Sequence, residues 1–563
     1  MSDISIAETN PAIRVRSPAE VMRLNRMGSF HPMRLSFSRQ LIRRMHDEGW
    51  MIDAPRVDLD ENGFGVAVIR ATTPDHVYSL VAYSHDLSPE RRSDRVIADA
   101  WDATFTLYDG EPDAATIAAM HPHVSTQEEG RHRQHQLTLS RANKSVRMFD
   151  HVVSCLAEGR QPDAGMVNRI GYLMRTTAVY GNGKFGISDR DRFKNREAMA
   201  APFMAEMLTV YLIRHFSLLL VDHLARGKGG DRAIGLDPML ARHFGIGNAT
   251  GLGMAPFLVN HQALLHQWME ARETALARVM AIRAVGPDQH QRLCDLVERA
   301  QQYTAEWRVD DAVQMDRITR LDGELVEIAA WIKDPAFDAA EMPIKALFDR
   351  AAVLSVEAQE MLVSIVLEPF GDLIDDLGAM MAAREAPQFA SGKTVAELTA
   401  VLDKHYRWAL DLDLDDPEQS RLFWYTSAAK LEPRLGNRYE EDGAECEFPF
   451  DIPHQVQALH RDLAGYDSAT LLADVMLRQP EHRFMIRRAM TTADAPYGEI
   501  ADNLVAASTR PIDMLRCKLS FFGASKFDPK SDLWTRITLY QGAPLAAGLA
   551  DANADDWLFS SLG

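Results

Sequence analysis

The sequence lacks several features that would assign it to a well-marked class of protein. It has four cysteines among 563 residues and no Cys-x-x-Cys pair, so the spacing indicates neither a disulfide framework nor a zinc ribbon. It contains no GxxxxGK(S/T), GxSxG or HExxH motif, and no GxGxxG on a recognisable strand-to-helix turn. ATP-binding loops, serine hydrolases, zinc proteases and dinucleotide-binding folds therefore lack their usual sequence signals.

Basic residues are also fewer than acidic residues. The chain carries 61 Lys and Arg against 80 Asp and Glu, a formal net charge of −19. A protein of this charge is repelled by the phosphates of nucleic acids and by anionic lipid surfaces. We therefore predict no nucleic-acid or membrane partner, whereas a local basic pocket for a small anion is compatible with this charge.

No uninterrupted hydrophobic run is long enough to indicate a membrane span. The most apolar stretch, 207–224, is interrupted by Arg214, His215, Asp222 and His223, which favours a buried core helix. The N-terminal residues lack the basic and apolar regions of a secretory signal. Together with the unpaired cysteines, these observations predict a cytoplasmic protein.

The pattern of apolar residues predicts an α+β fold that is predominantly α-helical. Residues 65–70, 77–83 and 104–108 are rich in β-branched and aromatic side chains, which predicts a small antiparallel sheet. Beyond residue 135, apolar residues recur at helical spacing, which predicts a helical bundle as the core. Two further strand-like stretches, 514–522 and 534–540, could add a C-terminal hairpin to the sheet.

Chain length and breaks in this pattern predict three regions. A chain of 563 residues exceeds one simple core. Stretches rich in turn-forming or polar residues, at 111–140 and 386–393, indicate the boundaries. The predicted regions are an N-terminal helix with the small sheet (1–135), a helical domain (136–390) and a helical C-terminal region that ends in a β-hairpin (391–563).

Two glycine-rich segments are the candidates for a functional site. The first follows Tyr180 and is predicted to end a helix, and the second, 244–256, precedes a predicted helix that starts at Pro256. The free N–H groups and the dipole of a helix start attract a carboxylate or a phosphate. The sequence thus predicts a site for a small anionic metabolite, and a tight cap or packing turn is the alternative for each segment.

Polar side chains in and beside these segments supply candidate roles. Tyr180 and His261 are the candidate catalytic residues, because a phenol and an imidazole can transfer a proton. His261 is predicted one turn inside the helix, where a hydrogen-bonded core histidine is the alternative. The candidate substrate-binding residues supply cationic, amide, hydroxyl or backbone N–H groups, and they are Arg175, Asn182, Lys184, Gly247, Asn248, Thr250, Gly251, Gly253 and Asn260. We predict no metal site, since the histidines of 121–135 lack partners at metal-ligand spacing.

The two segments resemble short motifs of the histidine/phenylalanine ammonia-lyase superfamily. Residues 179–186 read Val-Tyr-Gly-Asn-Gly-Lys-Phe-Gly, and residues 249–256 read Ala-Thr-Gly-Leu-Gly-Met-Ala-Pro. In that family the tyrosine of the first motif is the catalytic base, and the second motif cyclises into an electrophilic prosthetic group. The resemblance implies a largely helical enzyme that eliminates ammonia, with Tyr180 as the base. Thr250 stands where the family has a serine, so the resemblance does not extend to formation of the prosthetic group.

These observations predict a small-molecule metabolic enzyme, and a lyase is the leading hypothesis. Such an enzyme would act on a small carboxylate-bearing substrate by proton abstraction and elimination. One alternative is an oxidoreductase that uses a flavin or another cofactor, whose phosphates the glycine-rich turns would receive. The other is a noncatalytic protein that binds a ligand or a partner. The sequence identifies neither substrate nor cofactor, and it leaves open a homo-oligomer.

Overall fold

A computed structural model gives the fold of the chain in two compact units. It describes residues 14–28, 32–87, 100–126, 133–181, 196–251, 261–381, 392–416, 419, 424–427, 433–435, 447–449, 451–501, 511–529, 534–551 and 554–562. One unit, here called the helical unit, comprises 1–30, 252–518 and 531–533, and the other, the sheet unit, comprises 31–251, 519–530 and 534–563. The three regions suggested by the sequence divide the chain elsewhere and stay a prediction.

One large mixed sheet dominates the sheet unit. The strands of the described residues are, in chain order, β1 (Met51–Leu59), β2 (Gly65–Thr72), β3 (Val77–Ser84), β4 (Ala103–Asp109), β5 (Gln136–Lys144), β6 (Tyr172–Gly181), β7 (Gly245–Gly251), β8 (Trp424–Ser427), β9 (Pro433–Leu435), β10 (Glu447–Pro449), β11 (Ala524–Pro529) and β12 (Trp534–Leu539). Nine of them form the order β1-β2-β3-β4-β5-β6-β7-β12-β11. Neighbouring strands are antiparallel except β6 and β7, which are parallel. The helical unit holds a separate antiparallel sheet in the order β10-β8-β9.

Helices make up most of the remaining described residues. In chain order they are α1 (Pro18–Val21), α2 (Leu24–Met27), α3 (Phe37–Asp47), α4 (Ala114–Thr126), α5 (Phe149–Ala157), α6 (Ala164–Ile170), α7 (Met204–Gly229), α8 (Pro238–His243), α9 (Gln262–Met280), α10 (Pro287–Glu306), α11 (Ala312–Lys333), α12 (Pro335–Ala339), α13 (Pro343–Ala351), α14 (Val356–Leu367), α15 (Gly371–Ile374), α16 (Asp376–Met380), α17 (Val395–His405), α18 (Arg407–Leu410), α19 (Ile452–Leu463), α20 (Leu472–Arg478), α21 (Arg483–Asp494) and α22 (Pro511–Phe522). Short 3-10 turns lie at Glu197–Met199, Gly230–Arg232, Glu368–Phe370, Pro480–His482, Pro496–Gly498 and Ala546–Gly548.

The predicted fold class is wrong, because the sheet is large and mixed and the core is not a helical bundle. β5, β6 and β7 lie where the sequence predicts helices or a loop. Apolar residues do recur at helical spacing through 166–174, but α6 ends when Gly171 takes a left-handed φ of 75°. The β-branched Thr-Thr-Ala-Val sequence that follows favours the strand. At the C-terminus, the first predicted strand is helix α22, and the hairpin consists of β11 and β12.

Helices cover both faces of the large sheet. Thr138 of β5 shares a 2.7 Å hydrogen bond with Thr209 of α7, so α7 lies on the face to which Thr138 points. Leu139, the next residue, points to the opposite face and packs with Ile117 and Met120 of α4. α3 and α5 pack against α7. The sheet is therefore a central layer, except at β1, whose residues are largely exposed.

β6, α7 and β7 form a β-α-β crossover. Arg175 of β6 is in register with Gly247 of β7, and Thr176 is in register with Asn248. Parallel neighbours need a connection that returns the chain to the same edge of the sheet, and this connection contains α7 and α8. Because this connection makes β6 and β7 parallel neighbours, the carboxyl ends of the two strands lie side by side.

α7 is the one helix of the described residues that is long and apolar enough to span a membrane by length and composition. The most apolar part of Met204–Arg232 is 83% buried inside the protein, as in a core helix. The charge of Arg214 within it is accommodated by the main chain. Its guanidinium donates hydrogen bonds to four carbonyl oxygens, which belong to Arg242, Phe244, Ala543 and Pro544.

The helical unit contains a buried cluster of ion pairs that fixes the N-terminal segment 14–28. Arg16 donates from Nε and Nη2 to Glu273 at 2.7 and 2.9 Å, and from Nη1 to Glu360 at 2.9 Å. Arg26 and Arg272 also donate to Glu360. Burial opposes the charge of Glu360, but the arginines prevail and lower the pKa of its carboxyl group to about 2.

Candidate functional site

The carboxyl ends of β6 and β7 meet at one edge of the large sheet. β6 ends at Gly181 and β7 at Gly251, and the two strands are parallel neighbours. Ligands of α/β proteins commonly bind just beyond the carboxyl ends of parallel strands. The last residues of both strands belong to the glycine-rich segments singled out in the sequence, and we call this edge of the sheet the ligand edge.

Several of the predicted site residues lie on these two strands. Tyr180 pairs through its backbone with Leu139, and Thr250 pairs with Thr535. Arg175, Gly247, Asn248 and Gly251 are also strand residues, so the prediction of a helix end and a loop at these positions is wrong. Asn182, Lys184, Gly253 and Asn260 lie outside the described residues.

Thr176 and Asn248 provide a polar pair beneath the ligand edge. Asn248 Nδ2 donates to Thr176 Oγ1 at 3.4 Å, and Thr176 Oγ1 donates to the Gly247 carbonyl at 3.4 Å. Asn248 Oδ1 is shielded from solvent and has no hydrogen-bond partner in the described part of the chain. An unsatisfied amide oxygen costs about 1–3 kcal/mol, so a donor from a ligand would be stabilised there.

Arg175 and Gly247 play parts that differ from those predicted. Since Thr176 and Asn248 share one face of the sheet, Arg175 points to the opposite face, where its side chain is buried. Gly247 is required by packing, because a Cβ atom at this position would lie 2.7 Å from the ring of Tyr172. Asn248 and Arg175 therefore cannot contact one small ligand from the same face of the sheet.

His261 does not occupy the predicted position one turn inside a helix. It is the N-cap residue of α9, which begins at Gln262 and belongs to the helical unit. His266, farther along α9, is buried, and its Nδ1 accepts a hydrogen bond from the Tyr497 N–H at 3.2 Å. The strand residues at the ligand edge all belong to the sheet unit.

The ligand edge also holds a second group of polar side chains, which the sequence pattern does not indicate. His76 lies in the turn between β2 and β3, and Asp109 ends β4. His76 Nε2 lies 2.8 Å from Asp109 Oδ1, and Arg196 also donates to this oxygen. His76, Asp109 and Arg196 are far apart in sequence, and only the pairing of Tyr78 with Asp109 in β3 and β4 signals their approach.

The electrostatics of this group follow from burial and charge. Burial opposes ionisation of Asp109, but the hydrogen bonds from Arg196 and His76 hold its pKa below the ordinary value for aspartate. Burial raises the pKa of Tyr78 to about 12, against the opposing effect of Arg196. Asp109 is therefore a carboxylate and Tyr78 a neutral phenol at neutral pH. In the described residues, no group of three or more His, Cys, Asp or Glu is arranged to hold a metal ion.

Comparison of the chain with profiles of known protein families, with curated proteins and with solved structures gives no match. The resemblance of two segments to ammonia-lyase motifs stays a prediction.

Proposed function

We propose that the protein is a small-molecule enzyme that binds a carboxylate-bearing anion at the ligand edge and acts on it by proton abstraction and elimination. One observation carries the proposal, namely that β6 and β7 are parallel neighbours with their carboxyl ends together. Backbone N–H groups just beyond such ends are well placed to receive an anion. The lyase chemistry rests in addition on the sequence motifs.

The proposed roles are divided between the two strands. Tyr180 at the end of β6 is the acid–base residue, since its phenolate form can accept a proton from a carbon acid and its phenol form can return one. The second Nδ2 hydrogen of Asn248 and the backbone N–H of Gly251 hold the carboxylate, and Asn248 Oδ1 accepts from a donor group of the ligand. His261, proposed from the sequence as a second acid–base residue, is tested separately because it belongs to the other unit.

Proton abstraction can be measured before the substrate is known. The protein is incubated in heavy water with a mixture of small carboxylates, and exchange of hydrogen for deuterium next to the carboxylate is followed by proton NMR. We expect exchange in one component, and Tyr180→Phe should slow it at least about a hundredfold. Tyr108→Phe, a tyrosine near the end of β4, is the matched control and should exchange normally. His261→Ala shows whether that imidazole takes part.

Binding is tested independently of turnover. Acetate, succinate and adipate are titrated into the protein by isothermal calorimetry, with Asn248→Ala as the variant. Loss of the side-chain amide should weaken binding about fivefold to tenfold, as expected for one hydrogen bond to a charged group. Exchange and binding that are both absent in the wild-type protein would overturn the proposed function.

A cofactor-dependent oxidoreductase is the second candidate, and one observation favours it. Residues 181–186 read Gly-x-Gly-x-x-Gly, and this sequence starts at the last residue of β6, the first strand of a β-α-β crossover. Glycines at this place in such a unit let the backbone approach a phosphate closely. Flavin absorbance in the purified protein, or binding of ADP that is lost in Gly183→Ala, would support this candidate, and absence of both would exclude it.

A further inference from the structure

We propose that His85 and His121 together bind one divalent transition-metal ion, with zinc and copper as the best-suited ions. His85 follows the last residue of β3, and His121 lies in α4. This end of β3 pairs with the start of β4, whereas the ligand edge lies at the end of β4. The inference therefore goes beyond the proposed function and does not depend on it.

The two imidazole rings have the spacing of ligands to a single ion. Their centroids lie 6.0 Å apart, and the ring planes are inclined at 36°. A metal–nitrogen bond of about 2.1 Å places each ring centre roughly 3.2 Å from the ion, so two such rings lie about 5 Å apart at a tetrahedral angle and about 6 Å apart at a wider angle. Side-chain movements of less than about 1 Å bring both rings to tetrahedral geometry.

His85 is held in place by its main chain and by one ring nitrogen. Its N–H donates to the Asp102 carbonyl at 2.8 Å, which continues the pairing of β3 with β4. Its Nε2 lies 2.8 Å from Thr104 Oγ1. When Nε2 carries the proton and donates to this hydroxyl group, Nδ1 presents a lone pair to the ion. An outer hydrogen bond of this kind commonly orients the histidine ligands of metals.

The charge state of His85 suits metal binding. Burial and the neighbouring His121 lower the pKa of its imidazole, against the opposing effect of Asp102. An unprotonated imidazole is the form that binds a metal ion. Two neighbouring imidazolium cations repel each other, whereas two neutral rings can share one metal ion.

His121 is accessible from solvent and is supported on one side. It is exposed on α4, and its ring packs against Tyr83 with centroids 4.8 Å apart. The Tyr83 hydroxyl group donates to the Ile117 carbonyl of α4 at 2.7 Å, which fixes this part of the helix to β3. Within the described residues no hydrogen bond engages the ring nitrogens of His121, so rotation about Cβ–Cγ can direct either nitrogen toward His85.

Two histidines leave positions on the ion for further ligands. In the part of the chain that the structure describes, no third His, Cys, Asp or Glu joins them. Water would fill the remaining positions, as at zinc sites that keep an open position. Imidazole suits zinc, copper and nickel, with copper(II) bound more tightly than zinc, whereas magnesium and calcium prefer oxygen ligands. The histidine spacing in 121–135 does not indicate this site, because the partner of His121 comes from the end of β3.

Metal titration of the intact protein tests the site. The protein is freed of metal with a chelator, and zinc, copper(II) and magnesium chlorides are titrated by isothermal calorimetry at neutral pH. We expect one zinc ion per chain, tighter binding of copper and no binding of magnesium. His85→Gln and His121→Gln should each weaken zinc binding at least about tenfold, because one of two nitrogen ligands is lost. His290→Gln is the matched control, since His290 is partly exposed and contacts Asp338, and it should bind zinc as the wild-type protein does.

A second measurement shows whether both rings bind the same ion. Diethyl pyrocarbonate acylates a histidine at an unprotonated ring nitrogen, and peptide mass spectrometry gives the rate at each position. Zinc should slow acylation of His121 at least fivefold in the wild-type protein and less than twofold in His85→Gln. Glutamine at position 85 retains a donor for Thr104, and His121 is exposed, so both variants should keep the circular dichroism spectrum of the wild-type protein.

Three results would overturn the inference. The first is absence of zinc binding in the wild-type protein. The second is unchanged zinc affinity in His121→Gln, the variant of an exposed residue. The third is protection of His121 by zinc that persists in His85→Gln, because the ion would then be held without His85. None of these results bears on the ligand edge, so the proposed function would stand.

Discussion

Single buried side chains set how the sheet unit responds to acid. Burial, with smaller effects from Lys526 and Arg214, lowers the pKa of His243 from 6.5 to about 4. Its Nε2 lies 2.8 Å from Gln541 Nε2 and accepts that hydrogen bond, which requires an unprotonated nitrogen. Burial likewise lowers the pKa of His215 to about 3. Both histidines are neutral in the folded protein at pH 5.

The expected result is loss of stability as the pH falls from about 6.5 toward 4. In this window the unfolded chain binds protons at these histidines and the folded chain does not, so protonation favours unfolding. For His243 alone, the lowering of the pKa from 6.5 to about 4 corresponds to about 3 kcal/mol when the pH reaches 4. Urea unfolding at pH 7, 6, 5 and 4 measures this loss.

His243→Gln supplies the comparison, because glutamine retains an acceptor near Nε2 but cannot be protonated. Its free energy of unfolding should depend less on pH than that of the wild-type protein. His121→Gln alters an exposed histidine and should leave the pH dependence intact. If the free energy of unfolding of His243→Gln fell with pH as much as that of the wild-type protein, His243 would not be a source of the acid sensitivity.

Arg214 makes a second prediction at the scale of the residue. Its planar guanidinium reaches four carbonyl oxygens, whereas a lysine ammonium has three donors and no such geometry. Arg214→Lys should therefore lower the free energy of unfolding by about 2–4 kcal/mol, because carbonyls are left unsatisfied. Arg226→Lys, at an exposed position of the same helix, is the control, and calorimetric melting compares the two. Equal melting temperatures would show that the four hydrogen bonds contribute little.

At the scale of the element, the N-terminal segment depends on its arginines. Arg16→Met would leave Glu273 buried, with Arg272 Nε at 3.7 Å. Removing one partner of a buried ion pair costs about 3–5 kcal/mol, because the other charge remains desolvated. Arg283→Met removes an exposed pair with Glu341 and should change stability by less than about 0.5 kcal/mol. Chemical unfolding of both variants gives the two values, and a small effect at Arg16 would contradict a structural role for the cluster.

The sequence predicts a helix or strand correctly when the residues of that element alone carry its characteristic side-chain pattern. β2, β3 and β4 are recognisable because β-branched and aromatic residues fill them between clear turns. β6 is hidden because apolar residues of α6 and of the strand happen to continue one helical period across Gly171. β7 is not recognisable from the sequence because its glycines are typical of a loop. Gly247 is nevertheless a strand residue, and its lack of a side chain leaves room for the ring of Tyr172.

The candidate site likewise contains some residues that the sequence indicates and others that only the fold brings together. The two glycine-rich segments are visible in the sequence, and the parallel pairing of β6 with β7 accounts for their approach to one edge. His76, Asp109 and Arg196 meet only through strand register and a long connection, which no local pattern encodes. His261 is misplaced by prediction because the start of α9 is not marked by an N-capping side chain.

At the scale of the molecule, the sheet unit is completed by the end of the chain. β12 lies between β7 and β11, although residues 252–518 of the helical unit separate β7 from these strands in sequence. A chain that ends at residue 518 would leave β7 as an edge strand that pairs with β6 alone, and would uncover apolar core. We expect it to aggregate on expression, whereas a chain lacking only residues 562–563 should remain in solution. Size-exclusion chromatography separates these outcomes, and a monomeric truncated chain would contradict the prediction.

The late position of β12 has a consequence for biosynthesis. β7 has left the ribosome long before β12 is translated, and residues 252–533 are made in between. At about 5–20 residues per second this interval lasts roughly 15–60 seconds. During it, the backbone N–H and C=O groups on one side of β7 have no strand to pair with, so this nascent edge is where a ribosome-associated chaperone would find its binding site.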